Sequence, residues 1–99
     1  MKLQVAERAQ RQADKLDAWW AENRPAAPRL FASELEEVLR LICESSVVGI
    51  RWPTPRRPAL RRILMPRTKN HIYFVINART DTVLVVAIWG APKGRNPKL

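Results

Sequence analysis

Apolar positions recur at helical spacing in the first half of the chain and at strand spacing in the second. From about Glu7 to Glu22, Ala9, Ala13, Leu16 and Trp20 fall at intervals of four, three and four, which places them on one stripe of an amphipathic helix. The run Asn23-Arg24-Pro25-Ala26-Ala27-Pro28 ends that helix and opens a second, with Asn23 as the expected N-cap and Pro25 in the first turn, where its missing N–H has no helical partner anyway. The second helix is expected to reach about Ser45. Phe31, Leu35, Val38, Leu39 and Ile42 form its buried face, and Glu34, Glu36, Glu37 and Arg40 lie mostly outside it, so Glu34 and Glu37 are expected in solvent. Two such helices joined by a short link predict an antiparallel hairpin.

The pattern then changes. Val47–Ala59 contains Gly49, Pro53, Pro55 and Pro58 and is expected to be a loop displaying Arg51, Arg56 and Arg57. Three strands follow, Leu60–Met65, His71–Asn77 and Val83–Trp89. The links between them are short enough for hairpins, so the strands should be antiparallel. In the middle strand Ile72, Phe74 and Ile76 face one way and His71, Tyr73, Val75 and Asn77 the other. Seating the first set on the helices leaves His71 and Tyr73 on an open face. Val83–Trp89 is apolar throughout, as expected of a central strand. Lys2–Val5 has the length of a short edge strand. The sum is a two-layer α+β fold of short strand, helical hairpin and three-stranded meander.

Length and composition narrow this further. Ninety-nine residues make one domain, 1–99, ending in a basic tail over 90–99. With 46% hydrophobic residues and four Trp the chain can bury a thin core. Its charge is lopsided: Gly49–Leu99 holds 11 of the 18 Lys and Arg but one acid, Asp81, for a net +10, and the first 48 residues come to −1. Such a surface attracts polyanions and gains affinity by releasing their counterions. It also disfavours carboxylate chemistry, because the basic half has no second acid to share a proton or hold a metal. The single Cys43 excludes a disulfide framework and a thiolate zinc site. No metal and no cofactor are expected. Met1-Lys2-Leu3-Gln4-Val5 does not read as the apolar region of a signal peptide and no apolar run reaches membrane-spanning length, so a soluble protein of the cytoplasm is expected.

Several stretches carry a resemblance. Ala18-Trp19-Trp20, Asn23-Arg24-Pro25-Ala26-Ala27-Pro28, Leu30-Phe31 through Glu34-Leu35-Glu36-Glu37-Val38-Leu39, Arg61-Arg62-Ile63-Leu64-Met65, His71-Ile72-Tyr73-Phe74 and Val86-Ala87-Ile88-Trp89-Gly90 stand in this order and spacing. Together they resemble the RelE/ParE superfamily of bacterial toxins from type II toxin–antitoxin pairs. The resemblance implies that the first strand closes the sheet beside the last, giving an order 1-4-3-2 for the four expected strands. It also implies a cytoplasmic stress-response toxin neutralised by a cognate antitoxin, whose acidic, disordered segment folds on the toxin in a hetero-oligomeric complex. No membrane partner is implied.

Two branches of that superfamily imply two activities. The RelE-like branch is a metal-independent endonuclease that cuts messenger RNA in the ribosome. Such cleavage needs cations around the scissile phosphate and a group to move the 2′-OH proton. Candidates for it here are Arg61, Arg62, Arg67, Lys69, His71 and Tyr73, with Arg61 and His71 as possible cross-strand neighbours. Gly90 and Ala91 follow Trp89 where RNA-cutting relatives often carry His, Arg or Tyr. The ParE-like branch poisons DNA gyrase without a hydrolytic site, and the Ala-Trp-Trp and Asn-Arg-Pro features with the missing terminal acid–base residue point that way. In that case Arg51, Arg56, Arg57, Arg61, Arg62, Arg67, Lys93 and Arg95 form a target-binding patch.

For the antitoxin, candidate contacts are Trp19, Trp20, Leu60, Arg62, Leu64 and Trp89, by docking in a groove beside the helices and by extending the sheet edge at Leu60–Met65. Trp19 and Trp20 cannot share one helical face, so one is expected in the core and the other against a groove or partner. Arg61 and Arg62 must point to opposite faces, and one of them is expected to be structural. A plain nucleic-acid-binding module is the remaining alternative, using the basic patch for phosphates and exposed aromatics for stacking.

Overall fold

The computed structural model describes residues 1–45, 48–90 and 99. Strand β1 (Lys2–Val5) leads into helix α1 (Glu7–Asn23), which is followed by α2 (Leu30–Glu44), β2 (Ile50–Arg51), β3 (Arg61–Met65), β4 (Asn70–Asn77) and β5 (Thr82–Gly90). The architecture is α+β, with the helical hairpin on one face of the sheet. The sheet has five strands, ordered β1-β5-β4-β3-β2. The four expected strands keep their expected neighbours, with β1 parallel to β5 and the meander antiparallel. The fifth, β2, lies in the segment expected to be loop and pairs Ile50 with Arg62 and Arg51 with Arg61.

Helix α1 approaches the sheet closely because its buried positions are Ala9 and Ala13. Past the end of β1 the chain stays bonded to β5: the N–H of Ala6, the residue before α1, donates to the Val85 carbonyl, and Gln12 Oε1 of α1 accepts from the Ile88 N–H at 2.9 Å. Asn23 is the last residue of α1, and its Nδ2 donates to the Trp19 carbonyl. It therefore closes the first helix and does not cap the second, which starts at Leu30 after both prolines of the link. Each proline forces the residue before it away from helical geometry, so the link stays non-helical until Pro28 is passed.

The main core lies between the helices and the sheet. Phe31, Val38 and Ile42 of α2 meet Ile72 and Phe74 of β4 and Val83, Val85 and Ile88 of β5. Removing a residue the size of Phe31 from water contributes about 1.5–3 kcal/mol. Along β5, Val83 and Val85 share the helix side with Ile88, three residues on, because a bulge opposite Tyr73/Phe74 inserts Val86.

The face opposite the helices is not open. Leu60, Tyr73, Val86 and Ala87 form a second buried cluster, flanked by Trp52, Val75, Leu84, Trp89 and Leu99. Trp52 and Leu60 belong to the β2–β3 connection, which folds back over the sheet with the Trp52 N–H donating to the Leu60 carbonyl. Tyr73, expected in the open, is 1% exposed.

Glu34 is the second large departure. It is 2% exposed and lies on the buried stripe of α2 with Phe31 and Val38. Its Oε2 accepts the Arg67 N–H at 2.7 Å, and its Oε1 accepts the Thr68 N–H at 3.0 Å and the Thr68 hydroxyl at 2.8 Å. The buried carboxylate is satisfied by the β3–β4 turn, as burial of a charged group requires.

No described helix is long and apolar enough to cross a membrane.

Candidate functional site

Two places gather the sequence-predicted residues, one on each side of the sheet. On the outer face, period-two alternation along β3 separates two neighbouring arginines. Arg61 turns back to the β2 approach, donating from Nε to the Val48 carbonyl at 3.1 Å and from Nη2 to the Gly49 carbonyl at 2.9 Å. It is the structural one of the pair. Arg62 lies over the Trp52 ring, 3.5 Å from its centroid, and donates from Nη1 to the Tyr73 hydroxyl at 3.3 Å. Among the described residues its buried Nε has no hydrogen-bond partner. The tilted rings of His71 and Tyr73 sit 6.1 Å apart.

Arg61 and His71 are not cross-strand neighbours. The turn pairs Met65 with Asn70, which sets Arg61 opposite Phe74, Arg62 opposite Tyr73 and Leu64 opposite His71. Burial, and secondarily the Arg62 charge, hold the His71 imidazole below its usual 6.5. Folding stability should therefore fall as the pH drops below about 6.5, because the unfolded imidazole takes a proton there and the folded one takes it only at lower pH. Urea unfolding at pH 7.5 and 5.5 is expected to show this loss in the wild-type chain and less of it in His71→Gln. An identical loss in both would assign it to other groups.

Beside the outer face, Thr54–Arg57 forms a tight turn in which the Thr54 and Arg57 backbones bond each other and the Arg57 N–H also donates to Thr54 Oγ1. Three prolines brace this connection, and it carries Arg56 at its tip, with Arg51 also exposed. Lys93 and Arg95 lie outside the described residues.

The second place is a groove of about 800 Å³ between the C-terminal half of α1, the β3–β4 turn and the end of β5. Trp19, Trp20 and Trp89 line it together with Lys15, Arg24, Arg67 and Lys69, and among the described residues no acid is on its walls. Trp20 packs against the main core, and Trp19 stands edge-on to it, 46% exposed. The Arg24 guanidinium lies over both rings, 5.2 and 5.6 Å from their centroids. Arg67 and Lys69 thus belong to this groove and do not converge with His71 and Tyr73.

Among the other expected contacts, Leu60 is fully buried in the second cluster and cannot meet a partner without unfolding its loop. Leu64 is exposed. The expected free edge at Leu60–Met65 is covered at Arg61 and Arg62 by β2, which leaves Ile63–Met65 beyond it. Sequence reasoning missed the buried role of Glu34, although its spacing from Phe31 (three) and Val38 (four) is that of the buried face. Among the described residues no cluster of His, Cys, Asp or Glu is placed to hold a metal ion.

No protein-family model matches the sequence, and no match is found among curated proteins. Solved structures do match the fold. A chain of the toxin–antitoxin complex RelBE2 from Mycobacterium tuberculosis superposes with a TM-score of 0.66 at 16% identity, covering 91% of each chain. A chain of the chromosomal ParDE toxin–antitoxin system of P. aeruginosa gives 0.65 at 12% identity, covering 91% of this chain and 95% of that one. The isolated RelE toxin of E. coli gives 0.61 at 14% identity, covering 98% of this chain and 87% of that one. The described helices and strands of this chain have the fold of the RelE and ParE toxins.

Proposed function

We propose that this chain is the toxin of a type II toxin–antitoxin module and that it arrests growth by binding its target, DNA gyrase, and not by cutting RNA. The observation that carries the choice is the dispersal of the six residues an RNA-cutting site would need. Arg61 is committed to the Val48 and Gly49 carbonyls. Arg67 and Lys69 line the groove. Tyr73 is buried with its hydroxyl against Arg62. Only His71 and Arg62 remain as a proton acceptor and a cation on one face, which is little to stabilise a pentavalent phosphate and its leaving group. A binding toxin needs only a cationic surface, and the exposed Arg51 and Arg56 with Arg57 supply one.

The partner in this reading is an acidic antitoxin segment that orders on the toxin. The Trp19 groove offers it apolar walls and unopposed cations, and Leu64 and the backbone beyond β2 offer it a strand edge.

Induced expression with and without the neighbouring small open reading frame tests the proposal. Growth arrest relieved by that frame, with lost supercoiling and double-strand breaks while messages stay intact, is the expected result. The triple variant Arg51→Glu/Arg56→Glu/Arg57→Glu should fold and lose the arrest. Site-specific cuts in translated messages would replace this reading with RNA cleavage centred on His71 and Arg62. Salt-dependent binding of bare nucleic acid without growth arrest would replace it with a nucleic-acid-binding module.

A further inference from the structure

The buried carboxylate of Glu34 is used by neither proposed surface, yet it touches the residues that shape one of them. It reaches from α2 across 33 residues of sequence to the backbone of Arg67 and across 34 to Thr68. The Thr68 hydroxyl that donates to it also accepts from Asn70 Nδ2 at 3.0 Å, and both Thr68 and Asn70 are buried. Between them, Lys69 adopts a left-handed backbone with φ of 62°, and its N–H closes on the Met65 carbonyl. Few lysines hold that conformation without support. Three of the donors that fix this turn, the Arg67 and Thr68 N–H groups and the Thr68 hydroxyl, converge on one acid, and the two exposed cations the turn presents, Arg67 and Lys69, line the Trp19 groove.

We infer that Glu34 is a positioning residue for partner recognition: by clamping the β3–β4 turn it sets Arg67 and Lys69 along the rim of the Trp19 groove, where they meet carboxylates of an acidic segment seated on the indoles. The inference rests on the proposed antitoxin partner and adds the residue that prepares the site. The groove walls are apolar and aromatic, with cations and no acids, which matches a segment that is apolar on one side and acidic on the other. A turn whose backbone is fixed beforehand loses less freedom when the partner arrives, so the clamp acts on affinity while touching no ligand.

The sign of one substitution separates this from a merely structural role. Glu34→Gln removes a negative charge close to the rim, so electrostatics alone would strengthen binding of an acidic peptide. A glutamine oxygen can still accept from Thr68, but its NH₂ faces the Arg67 N–H and that bond is lost. The inference predicts weaker binding in spite of the added net positive charge.

The probe is a fluorescein-labelled helical peptide with Leu at positions i, i+3, i+4 and i+7 and Glu on its other face, titrated by anisotropy into the full chain at 50 and 300 mM salt. Circular dichroism sets a temperature at which every variant is folded. The wild-type chain should bind with an affinity that falls with salt. Arg67→Gln/Lys69→Gln should bind roughly tenfold more weakly with a reduced salt response. Glu34→Gln should weaken binding by roughly threefold to tenfold, and Thr68→Val, which removes the hydroxyl and keeps every charge, should weaken it in the same direction. Thr68→Ser should bind like wild type.

Equal or tighter binding by folded Glu34→Gln, with Thr68→Val unchanged, overturns the positioning role. An Arg67→Gln/Lys69→Gln double variant that binds normally overturns the assignment of the rim. Growth arrest by the wild-type chain is scored separately. Arrest without the Glu34 effect removes this inference and keeps the toxin, whereas the Glu34 effect without arrest keeps the clamp and removes the toxin.

Discussion

Replacing Gly49 with valine is expected to lower the melting temperature by about 10–20 °C, corresponding to a loss of roughly 3 kcal/mol in a domain of this size. Gly49 has φ of +77°, a left-handed conformation that costs a β-branched residue on the order of 1–2 kcal/mol. A Cβ built there would lie 2.6 Å from the Arg62 carbonyl oxygen and 3.3 Å from Phe74 Cζ. The first contact is with backbone of the neighbouring strand, so relief requires moving β3 and cannot come from a side-chain rotation. The displacement would also carry away the Gly49 carbonyl that Arg61 holds. Thermal unfolding followed by circular dichroism measures the effect, and a melting temperature within about 3 °C of wild type would show that the β2 approach is free to relax.

Glu34→Ala is expected to destabilise the fold by about 3–5 kcal/mol, the range seen when one side of a buried charged network is removed. Three donors lose their acceptor, and a cavity opens beneath α2. Denaturant unfolding gives the size of the loss. The same experiment on Glu37→Ala, at the exposed position one helical turn nearer the C-terminus, should show a change within about 0.5 kcal/mol. Similar losses for both would mean that the buried bonds contribute no more than a solvated glutamate.

How much was legible in the sequence follows from the range of the signals. The helical hairpin and the meander were visible because each depends on local periodicity: Ala9, Ala13 and Trp20 fix one helical stripe, and Ile72 and Phe74 fix one strand face. The opposite orientations of Arg61 and Arg62 were visible for the same reason. The register was not, because it depends on the Met65–Asn70 turn, and a pairing of Arg61 with His71 differs from the observed one by three residues. Strand β2 was hidden by its two-residue length inside a proline-rich run. Glu34 looked like surface because charge was weighed above position, although the stripe from Phe31 to Val38 includes it. The second cluster was hidden because its cover, Trp52 and Leu60, is folded back from a segment whose composition signals a loop. The groove needed three separate segments brought together, so only its tryptophans could be anticipated.

The two sides of the sheet also imply different tolerance to added sequence. The β4–β5 turn is exposed from Asn77 to Asp81 and is held by its own Asn77 side chain, which accepts from the Arg79 and Thr80 N–H groups. Foreign peptides spliced there would meet no buried neighbour. The connection over Trp52–Leu60 looks equally dispensable in composition, yet it roofs Tyr73, Val86 and Ala87. Shortening it would strip the centre of the sheet and leave a sticky apolar surface, so lineages that drift in this segment should conserve its roofing residues longer than its arginines.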